Sequence, residues 1–298
     1  MFLVVGATGD LGSRIVHRLV RERDGSVRCL VRAGADLTAL PEAGVELVEG
    51  DLTQPESLAS ACQDVDTVVA SATVIGRRLA GARHPSIREV DEIGMAALVD
   101  AAERAQVSRF VYVSFARAGK SYGTPLEIAK ISTEERLAAS TMRRVVVRPD
   151  AFQEIHLGPL GRFDVANGKV TVMGKGDNPR RWVATEDVAA LVVAVSVEPD
   201  PPREIDFGGP EPLTRNQAIQ VAERATGRPF KVQRVPLLAV KTAARIVPRA
   251  SDALASIFGT GLMQDLTPVM WDDSALTSRG ISPRSATAWI EAQAGAVL

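Results

Sequence analysis

The feature that most constrains this chain is a set of three glycines at fixed spacing, directly after its first apolar run. Phe2 to Val5 is typical of a short strand, and the residues that follow it open a segment with helical apolar spacing. Glycine permits a tight turn and lets backbone amides approach a ligand closely. The helix start adds unpaired N–H groups and a positive dipole end, which attract phosphate. This context predicts a site for the pyrophosphate of a dinucleotide, whose candidate contacts are Gly6, Thr8, Gly9, Asp10, Leu11 and Gly12.

Short apolar runs rich in β-branched residues recur through the first half of the chain, separated by segments with helical spacing. Six of them predict buried strands: Phe2 to Val5, Val27 to Val31, Val45 to Val48, Thr67 to Ala70, Phe110 to Val113 and Val145 to Arg148. Strands that are apolar on both faces and alternate with helices imply a parallel sheet covered on both sides, with right-handed crossovers. The sequence therefore predicts the α/β class with a doubly wound parallel sheet.

The pattern changes after Arg148-Pro149, where segments rich in Gly, Pro and Asn separate single short strands and helices. The helices predicted here include Glu186 to Val195, Arg215 to Ala225 and Leu237 to Ile246, with more helix toward the C-terminus. We expect two domains. Residues 1–155 form a dinucleotide-binding domain, and residues 156–298 form a smaller α+β substrate lobe that interleaves with the first at its edge.

The balance of charge excludes several classes of partner. The 298 residues carry 35 basic and 36 acidic side chains, so no global field favours nucleic acid or an anionic membrane. The longest apolar stretch, Val188 to Val195, is far shorter than the roughly 20 residues of a membrane helix. We expect no signal peptide before the first strand, and Cys29 and Cys62 are too few for a disulfide framework. We therefore expect a cytoplasmic protein with a small-molecule substrate. The sequence has no feature that favours one oligomeric state over another.

Further candidate contacts follow the second, third and fourth strands, because an open α/β sheet binds ligands at the carboxyl ends of its strands. An NAD-specific site has an acidic residue after the second strand. Here Arg32 stands in that place, which suits the 2′-phosphate of NADP(H), with a solvated strand-end charge as the alternative. Asp51 and Leu52 are candidates to flank the adenine, although Asp51 has a turn or capping role as its alternative. Ser71 and Ala72 complete the predicted cofactor contacts on this side.

Six short motifs are distributed over about the first 155 residues. In order they are G-A-T-G-D-L-G, L-V-R, E-G-D-L, V-D-E-I-G-M-A-A-L-V-D-A-A, R-F-V-Y-V-S and V-V-R-P-D-A-F. In combination they resemble the NmrA-like branch of the atypical and extended short-chain dehydrogenase/reductases. The resemblance implies a Rossmann fold that binds NADP(H). Members of this family reduce or oxidise small organic substrates, whereas others only sense the nucleotide or assist assembly, so the fold alone does not establish catalysis.

The resemblance also indicates where proton chemistry would occur. Most of the superfamily carries a Tyr-x-x-x-Lys pair on the fifth helix and a serine at the end of the fifth strand. Ser114 and Lys130 match the serine and the lysine, but the position of the tyrosine is occupied by Leu126. Either Tyr122 turns into the cleft from a nearby loop, with a packed loop tyrosine as the alternative, or Lys130 is itself the acid/base, as in the isoflavone-reductase-like members. We favour Lys130, with a purely ribose-binding lysine as the alternative.

Three remaining features complete the set of candidates. Phe152 follows the sixth strand, where the family's backbone lies against the nicotinamide, with a core position as the alternative. The three histidines show no metal-ligand spacing, so we predict no metal site. The segment from Arg224 to Arg249 has seven basic residues and no acidic one, and we interpret it as a solvated helix face rather than a nucleic-acid surface.

These observations predict an NADP(H)-dependent oxidoreductase that transfers hydride to a small organic substrate. The alternative is a protein of the same fold that senses NADP(H) or assists assembly without turnover, and the absent tyrosine favours it. A redox-neutral isomerase is a third alternative.

Overall fold

A computed structural model describes residues 1–22, 26–117, 121–247 and 250–296. The chain folds into two compact units, each assembled from separate stretches. Unit 1 consists of Met1–Ser114, Pro125–Val147 and Val188–Ile205, and unit 2 consists of Phe115–Thr124, Arg148–Asp187 and Asp206–Leu298.

The strands are β1 (Phe2–Val5), β2 (Val27–Val31), β3 (Val45–Glu49), β4 (Thr67–Ala70), β5 (Arg109–Val113), β6 (Arg143–Pro149), β7 (Phe163–Asp164), β8 (Lys169–Met173), β9 (Glu204–Phe207) and β10 (Lys231–Val235). The α-helices are α1 (Asp10–Glu22), α2 (Leu58–Ala61), α3 (Ile75–Leu79), α4 (Met95–Arg104), α5 (Pro125–Ala138), α6 (Gln153–His156), α7 (Thr185–Val197), α8 (Arg215–Thr226), α9 (Leu237–Ile246), α10 (Asp252–Leu266), α11 (Ser274–Thr277) and α12 (Ala286–Gly295). A π-helix, Arg88–Gly94, directly precedes α4.

Within the described ranges, seven strands form one sheet in the order β3-β2-β1-β4-β5-β6-β9. β1 pairs in parallel with β2 on one side and with β4 on the other, and the parallel series continues through β5 and β6. The chain therefore winds outward from β1 in both directions, and the predicted doubly wound α/β class is confirmed. Ligands bind such sheets where the winding reverses, at the carboxyl ends of the strands on either side. Here those strands are β1 and β4.

The expectation of six buried strands is wrong for β3. This strand lies at the edge of the sheet, and its Leu47 is 46% exposed. An edge strand has a neighbour on one side only, so its apolar residues lose less of their contact with water. The structure also adds β9, which the sequence analysis did not predict because only Ile205 and Phe207 of its four residues are apolar.

The core of unit 1 forms where helices cover the faces of the sheet. On α1, Ile15, Val16 and Leu19 lie at helical spacing and are fully buried. One buried cluster joins the strands to the π-helix, α4 and α5 through Leu3, Val68, Phe110, Tyr112, Val90, Leu98, Ala129 and Leu137. Burying each large aliphatic side chain contributes about 1.5–3 kcal/mol, so this packing stabilises α5 against the π-helix and α4.

Unit 2 has its own small sheet, in the order β10-β8-β7. Its helix α8 begins at a capping box, in which the Thr214 hydroxyl accepts from the Gln217 amide and the Gln217 side chain accepts from the Thr214 amide. Helix α9 has the bounds that the sequence predicts and packs on α10 through Val240, Ala244 and Leu262.

Two further observations concern the whole described chain. Among the residues that the structure describes, no helix has both the length and the apolarity that a membrane crossing needs. Cys29 and Cys62 are both buried and unpaired, and burial raises the pKa of the Cys62 thiol to about 11. A buried neutral thiol is unreactive, so neither cysteine is a candidate nucleophile.

Candidate functional site

The glycine-rich turn joins β1 to α1 at the carboxyl edge of the sheet. Gly6 adopts a φ of +92°, and a Cβ there would lie 2.7 Å from the backbone nitrogen of Ala72. The Gly9 amide donates to the Gly6 carbonyl at 3.0 Å, and α1 begins at the next residue, Asp10. Since the first N–H groups of a helix have no partner within the helix, the turn presents donors to an anion.

The other two glycines of the turn have different surroundings. A Cβ on Gly12 would lie only 1.9 Å from the carbonyl oxygen of Gly6, so Gly12 lets the helix pack against the turn. A Cβ on Gly9 would meet only that same oxygen, at 3.3 Å, and Gly9 is exposed. The space in front of Gly9 is a cradle that a larger side chain would fill, which fits the bound pyrophosphate that the sequence predicts.

The remaining predicted contacts of the turn are exposed or half-buried. Thr8 and Leu11 are half-buried, and Asp10 is exposed in the first turn of α1. The Asp10 carboxylate accepts from Arg14 Nε at 3.0 Å. This pairing partly neutralises a charge that would otherwise oppose a phosphate at the same helix end.

Arg32 is exposed directly after β2, as the sequence predicts, whereas Arg28 on the same strand is fully engaged. Arg28 pairs with Glu46 and donates to the carbonyls of Ala61 and Gln63. Arg28 is therefore not available to a nucleotide, and Arg32 remains the candidate for a 2′-phosphate.

The residues after β3 and β4 are mostly engaged within the fold. Asp51 accepts from both the amide and the hydroxyl of Thr53 at 2.8 Å, which is the turn role given as its alternative. Leu52 is buried, and the Ser71 amide donates to the Val5 carbonyl. Contacts of Asp51, Leu52, Ser71 and Ala72 with a cofactor stay predictions.

At the carboxyl end of β5, the two residues predicted to be catalytic lie near a buried carboxylate that the sequence analysis did not predict. Lys130, on α5, is 8% exposed, and its ammonium donates to the Val113 carbonyl at 2.8 Å. Ser114 is the next residue, and its hydroxyl donates to Glu134, which lies one helical turn after Lys130 and is 5% exposed. The sequence signal that could have indicated Glu134 is its i, i+4 spacing from Lys130, which places both residues on one helix face.

The surroundings of Lys130 act on its charge in opposite directions. Burial lowers the pKa of the Lys130 ammonium below its usual value, while the carboxylates of Asp91 and Glu134 partly raise it. The ammonium also lies 4.8 Å from the ring centroid of Tyr112. Asp91 comes from the π-helix, is completely buried and accepts from the Val74 amide at 3.1 Å. Sequence spacing gives no signal for Asp91, since it lies 39 positions before Lys130.

No tyrosine of unit 1 replaces the one that the family pattern would place at position 126. Leu126 packs against the apolar core of unit 1. Burial raises the pKa of the Tyr112 hydroxyl, which makes it a poor proton donor. Tyr122 belongs to unit 2 and packs there with Val240 and its neighbours, in agreement with the packed-loop alternative.

Unit 2 contains a buried ion pair that the sequence analysis did not predict. Asp150 and Arg180 have side chains that are 0% and 1% exposed, and the Arg180 Nε donates to Asp150 at 3.1 Å. The Trp271 indole N–H donates to the same carboxylate at 3.0 Å. Phe152, two residues on, is half-buried and bridges to Val183. A cavity of about 410 Å³ in this unit is lined by Arg117, Asp206, Met270, Trp271, Asp272 and Ser274.

The histidines and the basic segment, which the sequence analysis also considered, show no features of a functional site in the described residues. His17 is exposed beside the Ala39 carbonyl, and burial together with two arginines lowers the pKa of His156 to about 3. Within the described residues, no group of three potential ligands has metal-binding geometry. In the basic segment, Arg228 and Arg234 donate to backbone carbonyls of unit 2. Pro248 and Arg249, at the end of that segment, lie outside the described residues.

Comparison with known proteins agrees with this geometry. The profile of a family described as NAD(P)H-binding matches residues 6–199. The photosystem II assembly factor Ycf39 of Synechocystis sp. is 29% identical over 279 residues, which are 90% of this chain and 83% of that protein. The NAD(P)H azoreductase of Xenophilus azovorans is 28% identical over 247 residues, which are 82% of this chain and 80% of that protein.

Solved structures share the fold at low sequence identity. The NADPH-dependent quinone oxidoreductase of Escherichia coli in complex with NADPH has a TM-score of 0.72 and 20% identity, covering 98% of this chain and 99% of that one. The Citrobacter sp. triphenylmethane reductase in complex with NADP(H) has a TM-score of 0.74 and 18% identity, covering all of both chains. Together with the family match over more than half of the chain, these similarities show that the chain belongs to the NAD(P)H-binding family, with the Rossmann-type fold of the NmrA-like atypical short-chain dehydrogenase/reductases.

Proposed function

We propose that the protein is an NADP(H)-dependent reductase that transfers hydride to a small organic acceptor. The observation that carries this proposal is Lys130, a buried ammonium held by the Val113 carbonyl at the carboxyl end of β5. A lysine is costly to bury. Its position beside Ser114 is the one at which the family pattern places proton chemistry, so we assign it a chemical role.

The glycine-rich turn after β1 supports binding of the cofactor. The positive φ of Gly6, the open space at Gly9 and the start of α1 form a cradle of backbone donors for the pyrophosphate. Arg32 is our candidate for the 2′-phosphate. Asp51, Leu52, Ser71, Ala72 and Phe152 remain our proposed contacts for the rest of the nucleotide.

When bound, NADPH supplies the hydride, and the protein supplies the proton. We assign Lys130 as the donor of that proton. One N–H bond of its ammonium breaks, the proton goes to the oxygen or nitrogen of the reduced acceptor, and the neutral amine takes a proton from solvent afterwards. Burial favours this step, because a lowered pKa makes the ammonium a stronger acid near neutral pH.

Replacement of Lys130 by methionine should lower kcat by roughly a hundredfold or more, the usual loss when a general acid is removed. The measurement is NADPH oxidation with a panel of quinones, azo dyes, ketones and enones. Quinones and azo dyes are included because proteins similar to this chain are named for reducing them.

Lys169→Met is the matched control, because Lys169 is exposed at the start of β8 in unit 2. It should retain wild-type turnover. Near-normal kcat in Lys130→Met would exclude Lys130 from the chemistry, and an effect on NADPH affinity alone would assign it to ribose binding.

Arg32→Ala should reduce the preference for NADPH over NADH. A guanidinium binds a 2′-phosphate through charge-assisted hydrogen bonds of about 1.5–3 kcal/mol, or roughly 10- to 150-fold in affinity. Because Arg32 is exposed, we expect the low end of this range and a smaller preference at high salt. Titration of both cofactors at two salt concentrations measures it. Arg203→Ala, exposed just before β9, is the control, and an unchanged preference in Arg32→Ala would remove Arg32 from the site.

A second candidate function is an assembly or sensor protein that binds NADP(H) without turnover. Leu126 in place of the tyrosine favours it, as does the similarity to an assembly factor. The panel above distinguishes the two functions. Tight NADPH binding with no oxidation of NADPH by any acceptor would favour the second candidate.

A further inference from the structure

The carboxyl end of β5 holds a buried carboxylate that the proposed mechanism does not use. Glu134 is 5% exposed, accepts from the Ser114 hydroxyl and lies one helical turn after Lys130. An ionised carboxylate is costly to bury unless a positive charge or hydrogen bonds compensate it. Here the hydrogen bond comes from Ser114, and the positive charge on the same helix face is Lys130.

The single hydroxyl hydrogen of Ser114 is committed to Glu134. A serine hydroxyl has one hydrogen to donate and two lone pairs that accept. While Glu134 is ionised, Ser114 therefore presents only lone pairs to a ligand. Ser114 can then orient an O–H or N–H group of an acceptor but cannot supply a proton to it, which leaves Lys130 as the proton donor of this cluster.

We propose that Glu134 is a positioning residue of the reductase site, which keeps Lys130 protonated and fixes the hydroxyl of Ser114 as a hydrogen-bond acceptor. The proposal rests on the proposed function for its chemical meaning. In the absence of the tyrosine, a carboxylate one helical turn away favours the protonated form of a lysine whose pKa is lowered by burial.

The titratable groups around Lys130 come from three elements. Glu134 lies on α5 itself, Asp91 comes from the π-helix, and the uncharged Tyr112 comes from β5. Helix α4 also packs on α5, but its acidic residues Asp100 and Glu103 pair with Arg136 instead. Of the two carboxylates that raise the Lys130 pKa among the described residues, Asp91 therefore remains when the charge of Glu134 is removed.

The test compares Glu134→Gln with Glu135→Gln. Glutamine at position 134 retains an oxygen that can accept from Ser114 but removes the charge, and Glu135 is an exposed carboxylate on the same helix. Because the two residues lie one helical turn apart and an opposite charge so near shifts a pKa by about 1–3 units, the Lys130 pKa should fall by about 1–2 units in Glu134→Gln. It should change by less than about 0.3 units in Glu135→Gln, because exposed charges are screened.

The first readout is NMR titration of protein with isotope-labelled lysine. The chain has six lysines, so Lys130→Met assigns the signal. This readout does not need turnover, so it tests the role of Glu134 even if no acceptor is reduced and the proposed function fails. An unchanged Lys130 titration in a folded Glu134→Gln protein would overturn the proposal.

The second readout is the pH profile of kcat. Since Lys130 acts in its protonated form, activity in Glu134→Gln should be lost at a pH about 1–2 units lower than in wild type. In Ser114→Ala, activity should be lost at the same pH as in wild type, because the substitution removes the hydrogen bond to Glu134 but not the charge of Glu134. If Glu134→Gln does not fold, Glu134→Asp should restore folding and show a smaller shift, and a wild-type profile in Glu134→Asp would then overturn the proposal.

Discussion

Replacement of Gly9 by valine should weaken NADPH binding by more than a hundredfold while the protein stays folded. The Gly9 position is exposed in front of the turn, so the valine side chain would enter the space that the pyrophosphate needs. Blocking two charge-assisted hydrogen bonds of about 1.5–3 kcal/mol each gives a loss of that size. Calorimetric titration with NADPH measures the affinity, and circular dichroism checks the fold.

Two variants test the specificity of this effect. Gly295→Val places the same side chain at an exposed helical glycine with open space around it, and it should bind NADPH normally. Gly12→Ala should instead reduce stability, because its Cβ would lie 1.9 Å from the Gly6 carbonyl oxygen. Normal affinity in Gly9→Val would refute the assignment of the turn as the phosphate site.

Replacement of Asp150 by alanine should destabilise the protein by about 3–5 kcal/mol, the usual cost of removing one partner of a buried ion pair. Arg180 is 1% exposed, so its guanidinium would stay buried without its carboxylate. The Trp271 indole N–H and the Arg181 amide would lose the same acceptor. Urea unfolding followed by circular dichroism measures the change in the free energy of unfolding.

Asp200→Ala is the control for this prediction, because Asp200 is 92% exposed in its ion pair with Arg143. Exposed ion pairs contribute about 0–1 kcal/mol, so this variant should unfold close to wild type. A loss below about 1 kcal/mol in Asp150→Ala would mean that water or a rearranged side chain satisfies Arg180.

Much of the fold is predictable because it depends on local patterns. The apolar runs of β1, β2 and β4 gave the bounds of those strands, and the helical spacing from Leu237 to Ile246 gave those of α9. The same patterns failed for β3, because β-branched residues indicate a strand but not whether it lies at the edge of the sheet. They missed β9, because a strand with two apolar residues in four resembles a loop.

In the candidate site, too, some residues were predictable from the sequence and others were not. Lys130 and Ser114 were predictable from the family pattern, and Glu134 was within reach because one helical turn is a fixed spacing. Asp91 was not, since it approaches Lys130 from a π-helix that only the packing of α5 brings near. Asp150 and Arg180 lie 30 residues apart, and each would pass for a solvated charge in the sequence.

By itself, the sequence determined the glycine-rich turn after β1, because that turn depends on the absence of Cβ atoms and on the φ of Gly6, which are local properties. The sequence also determined that no tyrosine precedes Lys130 by one helical turn. Only the tertiary structure decided which charges surround Lys130 and which carboxylate holds Ser114. The physical reason is that desolvation and buried charge pairing depend on which distant segments exclude water together, and the spacing along the chain does not contain that information.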